Sequence, residues 1–251
     1  MKFLSDAASL TLAILFSVTV LADEEEFPDR IQGDVGGAIY ACTNPVRGDG
    51  NTLIAVPYGY FDYGRFFARF DTFGIKTLPL GYGYLEFSGR INLDGYRTNT
   101  PVLRGIGERK NSIPLGIGTF QETPIGGFFL NAFYDANQSH GILSELIYVA
   151  EFDIGDNVVY PMIGIEHFSA GYTRYFYGVS PVEAGRSIYP VYAPAATTTP
   201  MLGFVLEVPV VDDWNATIYM LRRWLGPAIH DSPLVDTRLQ DEAFVSLSYR
   251  Y

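Results

Sequence analysis

The stretch Ala243-Phe244-Val245-Ser246-Leu247-Ser248-Tyr249-Arg250-Tyr251 decides the fold. Ala243, Val245, Leu247, Tyr249 and Tyr251 fall on one face at period two, and Ser246, Ser248 and Arg250 fall on the other. A strand that stops on Tyr251 leaves a row of unpaired backbone groups unless it pairs with the first strand. Closing the sheet removes that edge. A secreted β-sandwich would leave it open, so the alternation, the apolar face and the final aromatic together predict a closed barrel whose apolar face meets lipid. Val245, Leu247, Tyr249 and Tyr251 are then the terminal-strand assembly signal that barrel-assembly machinery would read.

The same alternation recurs upstream. Leu85, Phe87, Ile91 and Leu93 oppose Glu86, Ser88, Arg90 and Asn92. Phe128, Leu130, Ala132 and Tyr134 oppose Phe129, Asn131, Phe133 and Asp135. Leu146, Tyr148, Ala150 and Phe152 oppose Glu145, Glu151 and Asp153, and Ala216, Ile218 and Met220 alternate with Asn215, Thr217 and Tyr219. These runs have the roughly 9–11-residue length of a tilted membrane-crossing strand, above the 5–6 usual in soluble sheets. Short breaks separate them, among them Arg47–Asn51, Glu122-Thr123-Pro124, Asp135–Gln138, Ile154–Asn157 and Val211-Asp212-Asp213. Three longer connections fall near 94–111, 178–200 and 225–240. The fold class expected is all-β, a transmembrane antiparallel up-and-down barrel of about 10–12 strands.

Composition agrees. Charged residues make up 18% and aromatics 15%, with 18 Tyr and 18 Phe. That is below the roughly 25% charge of soluble domains. A net charge of −11 argues against a nucleic-acid partner. The single cysteine, Cys42, excludes a disulfide framework and a cysteine-rich zinc site. At the N-terminus, Lys2 precedes the apolar run Leu10–Ala22, which the acidic run Asp23–Glu26 follows. The run has the length of a signal-peptide core and is too short to span a bilayer as a helix. Cleavage is expected after Ala22, giving a signal peptide over 1–22, a barrel domain over 23–251, and export to the outer membrane of a Gram-negative cell.

Function is less legible. His140, His167 and His230 share no metal-ligand spacing, and no cofactor is expected. His230-Asp231-Ser232 holds the three residue types of a hydrolase triad, but consecutive side chains cannot meet in triad geometry. Glu166 and His167 are strand neighbours facing opposite sides, so they cannot work as an acid–base pair. The polar face carries Arg65, Arg69, Asp71, Glu86, Arg90, Asp135, Glu145, Glu151, Glu207, Arg223 and Arg250, and arginines outnumber lysines 14 to 3. Arginine keeps its charge when partly buried and pairs bidentately with carboxylates. Two readings stand: a pairing network that fills a narrow lumen, or the charged constriction of a small selective pore. The Tyr/Pro-rich loop at 178–200 reads equally as a recognition surface or a lid.

Several pieces resemble the MipA/OmpV family of outer-membrane proteins. Tyr175-Phe176-Tyr177-Gly178-Val179-Ser180 with Glu183-Ala184 looks like its aromatic-aromatic-Tyr-Gly-Val element. Asp231-Ser232-Pro233-Leu234-Val235 and Ser248–Tyr251 follow in order, and Leu103–Arg109 is similar to a family turn. Ala41–Pro45 differs from the family, which has a Tyr-x-Gly type of loop there. The resemblance implies an outer-membrane barrel without catalytic residues. It implies a scaffold between a lytic transglycosylase and a bifunctional penicillin-binding protein or, in other members, a porin-like or adhesive protein.

Overall fold

The computed structural model describes residues 27–251. The expected signal peptide and the acidic run at 23–26 lie outside the described residues. The alternating segments form β1 (Gln32–Cys42), β2 (Thr52–Tyr63), β3 (Phe66–Arg69), β4 (Thr72–Leu80), β5 (Gly83–Arg90), β6 (Leu115–Thr123) and β7 (Gly126–Tyr134). They continue as β8 (Ile142–Val149), β9 (Phe152–Ile154), β10 (Asn157–Phe168), β11 (Thr197–Val211), β12 (Trp214–Trp224) and β13 (Leu239–Arg250). Each pairs antiparallel with its neighbour, and β13 pairs with β1 from Asp34↔Arg250 to Cys42↔Glu242, which closes the sheet.

β8 and β9 are one strand in two pieces. Both pair with β10 in a single register, Val149 opposite Met162 and Phe152 opposite Val159. Between them the Ala150 amide bonds to the Pro161 carbonyl, but Pro161 has no N–H to return the bond, and the ladder lapses for two residues. The thirteen segments therefore make a barrel of 12 strands.

Alternation sets the two faces. Val245, Leu247, Phe87, Leu130 and Ile163 point outward and are exposed, while Ser246, Ser248, Ser88, Asn131 and Glu166 are buried inside. Trp214 and Trp224 both face outward at opposite ends of β12. At roughly 3.3 Å per residue and a tilt near 40°, they bracket a height of about 25 Å, that of the apolar band of such barrels.

The two ends differ. At one end lie the tight turns Gly64-Arg65, Gly81-Tyr82, Pro124-Ile125, Gly155-Asp156 and Asp212-Asp213. Gly64 and Gly155 take the left-handed φ of 55° and 64° that two-residue hairpins need. At the other end the connections 43–51, 91–114, 135–141, 169–196 and 225–238 are long, and only Phe70-Asp71 is short. Short turns face the periplasm and long loops the exterior in barrels of this class. The long loops carry α1 (Ala170–Tyr177), α2 (Pro181–Ala184) and α3 (Pro227–His230). Their apolar side chains, including Tyr172, Phe176, Ile229 and Leu234, pack with Leu103, Phe133 and Phe168 as a buried cap over that end.

Candidate functional site: the lumen and its cap

Two arginines hold the ionic centre of the lumen. Arg90, at the end of β5, reaches Glu145 of β8 at 2.8 Å, Glu166 of β10 at 3.0 Å and Asp71 of the β3–β4 turn at 3.0 Å. Arg223 of β12 reaches Glu166 at 2.6 Å and faces Glu242 of β13. Asn131 of β7 donates to Glu145 at 2.7 Å. The centre thus draws on β5, β7, β8, β10, β12 and β13, and Glu166 at its middle is 2% exposed. Two smaller groups lie nearer the tight turns. There Arg250 meets Asp34 at 2.6 Å and Glu207 at 2.9 Å, and Asp62 meets both Arg69 and Lys76 at 2.9 Å.

Of the charges read from the sequence, Arg90, Glu145, Asp71 and Arg223 meet in the ionic centre, Glu207 and Arg250 meet in one of the smaller groups, and Arg69 belongs to the other. Glu86 is buried and faces inward with no ion-pair partner among the described residues, and Glu151 is exposed at the periplasmic end. Two residues belong elsewhere. Arg65 sits in the β2–β3 turn, exposed, where it donates to the Thr77 carbonyl at 2.7 Å and lies over the Phe27 ring. Asp135 lies just past β7, where its carboxylate accepts from the Asn137, Gln138 and Ser139 amides and from the Ser139 hydroxyl. It anchors a loop and does not enter the lumen network. Asp34, Asp62, Lys76, Glu166 and Glu242 also take part but are not among those charges. Their signal was available, since each shares the inward parity of its strand.

Rings fill the rest. Tyr40, Tyr58, Tyr219 and Phe244 point inward from β1, β2, β12 and β13, and Phe70 folds in from the β3–β4 turn to stack on Phe244 at 4.3 Å. Between rings, ions and cap lies a chamber of about 460 Å³, bordered by Tyr40, Val56, Tyr58, Phe70, Asp94 and Glu242. Asp94 belongs to the 91–114 loop. Burial pushes its carboxyl above the usual range, although the Tyr172 hydroxyl donates to it.

In the cap, the pieces that resemble the family touch one another. The buried Ser232 hydroxyl donates to the Tyr177 carbonyl at 2.7 Å and accepts the Leu234 amide at 3.2 Å. Gly178 follows α1, Val179 bridges to Tyr192, and Pro233 offers its carbonyl to Arg47. Asp231 meets the Nδ1 of His230 at 2.8 Å, while the Ser232 hydroxyl is committed to the Tyr177 carbonyl, so the three side chains at 230–232 do not form a triad. Arg109, in the turn after Leu103, pairs with Glu183 at 2.8 Å, and Glu183 also accepts the Gly107 and Ser180 amides. Burial opposes ionisation of Glu183, but these bonds outweigh it and hold its carboxyl down at about 2.

Comparison with known proteins agrees with this architecture. Residues 35–251 match the family described as MltA-interacting protein MipA. The chain is 25% identical to the outer membrane protein OmpV of Vibrio cholerae over 72% of its length and 74% of the relative's. It is 26% identical to the MltA-interacting protein of Escherichia coli K12, over 59% of this chain and 60% of that one. The putative outer membrane protein YiaT of the same organism is 22% identical over 86% of this chain and 89% of its own. Closed sheet, lipid-facing band and match over almost the whole described chain lead to one conclusion: the chain belongs to the MipA/OmpV family and is an outer-membrane β-barrel.

Proposed function

We propose that this barrel is a non-enzymatic, non-conducting scaffold that tethers a murein-cleaving lytic transglycosylase, and with it a penicillin-binding protein, to the outer membrane. The observation that carries the reading is the ionic centre. Arg90 and Arg223 tie carboxylates from opposite walls together across the lumen, which favours a filled barrel over an open channel. The Escherichia coli relative is named for an interaction with MltA, which supports a partner of that class here. Murein enzymes act in the periplasm, so docking falls to the tight-turn end and the rim that carries Glu151, Asp212 and Asp213.

Affinity purification from crosslinked envelopes tests the partner, with murein transglycosylase expected among the recovered proteins; its reproducible absence overturns the scaffold. Planar-bilayer recording tests the lumen, with no steady conductance expected. A reproducible open channel would instead support the pore reading.

A further inference from the structure

β3 is only four residues long, while its neighbours β2 and β4 run to 12 and 9. The β2–β3 ladder spans Tyr63↔Phe66 to Tyr60↔Arg69, with one further bond from the Phe70 amide to the Gly59 carbonyl. Gly59 thus turns its backbone groups toward β3, and strand alternation sends those of Pro57, Ala55 and Leu53 to the same side. No backbone partner meets them there among the described residues. Proline, which lacks an N–H, belongs at such an edge. The barrel wall is therefore open beside the outer half of β2.

The chamber meets the wall at this place. Its border includes the inward-facing Val56 and Tyr58 and also Pro57 and Phe61, which face the lipid side. One void thus touches both faces of the wall. Unpaired backbone at membrane depth is tolerated where it lines a hydrated cavity, and this chamber supplies one. Its inner surface is divided. Rings and Val56 make one side, while the other presents four carboxylates, Asp71, Asp94, Glu166 and Glu242, against the two guanidinium groups of Arg90 and Arg223. Its 460 Å³ lies within the roughly 300–1,000 Å³ of small-molecule sites.

We propose that the gap beside β2 is a lateral portal through which an amphiphile with an aliphatic chain and a cationic amine head enters the chamber from the outer leaflet. The chain lies against Tyr40, Val56, Tyr58 and Phe70, and the ammonium meets the carboxylate excess at Asp94 and Glu242. The ionic centre floors the chamber, so the ligand is held and not passed to the periplasm. The proposal does not depend on the scaffold reading.

The test uses the full barrel in lipid nanodiscs with a dodecylamine that carries a diazirine at its chain end. After irradiation, mass spectrometry should find crosslinks on Tyr40, Val56, Tyr58 or Phe70, besides those on belt residues such as Val245 and Leu247. Unlabelled dodecylamine should suppress the lumen crosslinks at about tenfold lower concentration than dodecanoate. Val56→Trp, which fills the chamber beside the gap, should abolish lumen crosslinks and leave belt crosslinks unchanged; Val56→Phe serves if the larger ring prevents assembly. Crosslinks confined to the belt of the wild-type barrel overturn the portal. Equal competition by dodecanoate overturns the cationic head.

Discussion

Rings from β1, β2, β12 and β13 gather around Phe244 in one part of the lumen, whereas in another part charges from β5, β8 and β10 gather around Arg90. The ring side is held by contacts of low directionality. Phe70 stacks on Phe244 at 4.3 Å, Phe244 on Tyr219 at 4.9 Å, and Tyr58 tilts against Phe244 at 5.6 Å. Each such pair adds about 0.5–1.5 kcal/mol beyond the area it buries, and the loss of the Phe70 ring leaves the Tyr219–Phe244 and Tyr58–Phe244 pairs in place. The ionic side behaves as a unit. Arg90 alone neutralises groups from two strands and a turn, so its removal strands several charges at once. Two ways of filling one lumen therefore fail differently, and substitution separates them.

Arg90→Met should give the largest effect, a destabilisation of about 3–5 kcal/mol, because breaking a buried pair leaves uncompensated charge. Urea unfolding of the barrel in lipid vesicles measures it. Glu145→Gln added to Arg90→Met should recover part of the loss, since one stranded carboxylate disappears with it. Phe70→Ala should cost less, about 2–3 kcal/mol, below the 3–5 of a fully enclosed phenylalanine because Phe70 is only half-buried. Phe70 also holds φ at +61°, a left-handed backbone that costs an L-residue about 1 kcal/mol or more. Phe70→Gly loses the same ring but escapes that cost, so it should be the more stable of the two variants. An Arg90 variant milder than Phe70→Ala would mean that the ionic side is hydrated, and the comparison would fail.

The faces of this barrel are legible in the sequence because side-chain direction in a strand has period two. The alternations at 84–93, 126–134 and 214–220 assign inward and outward residues without knowledge of the partners. Height is another matter. Which inward charges meet depends on the stagger between neighbouring strands, and alternation is silent about stagger. Glu166 and Glu242 therefore carry the right parity, yet their convergence on Arg223 could not be read. Arg65 is misplaced because the alternation was carried through the Gly64 turn. Asp135 is misplaced because period two runs to the end of β7, where its carboxylate turns back to cap the next loop. Phe70-Asp71 lacks the glycine or asparagine of a two-residue hairpin, so neither the short β3 nor the wall gap beside it gives a sequence signal. α1, at eight residues, is too short for its period to stand out from an aromatic run.

The cap repeats the contrast on a smaller scale, with one neutral hydrogen-bond pair and one ionic anchor. Ser232→Ala leaves the Tyr177 carbonyl and the Leu234 amide without their buried partner, a loss of about 1–2 kcal/mol. Faster proteolysis within 225–238, with the strands still resistant, is the expected readout, and ester-hydrolysing activity should not change. The ionic anchor gives the effect that depends on pH. The folded Glu183 carboxyl lies at about 2 against an ordinary 4.5. The ionised form is therefore favoured by folding, and its contribution is complete above about 4.5 and disappears as the pH falls toward about 2. Protease access to the loop at 178–196 should rise across that interval. In Glu183→Gln the loop should be more accessible at neutral pH, and the acid-dependent rise should be gone. A rise that persists in Glu183→Gln would place the acid-sensitive group elsewhere in the cap and leave Arg109 without its assigned partner.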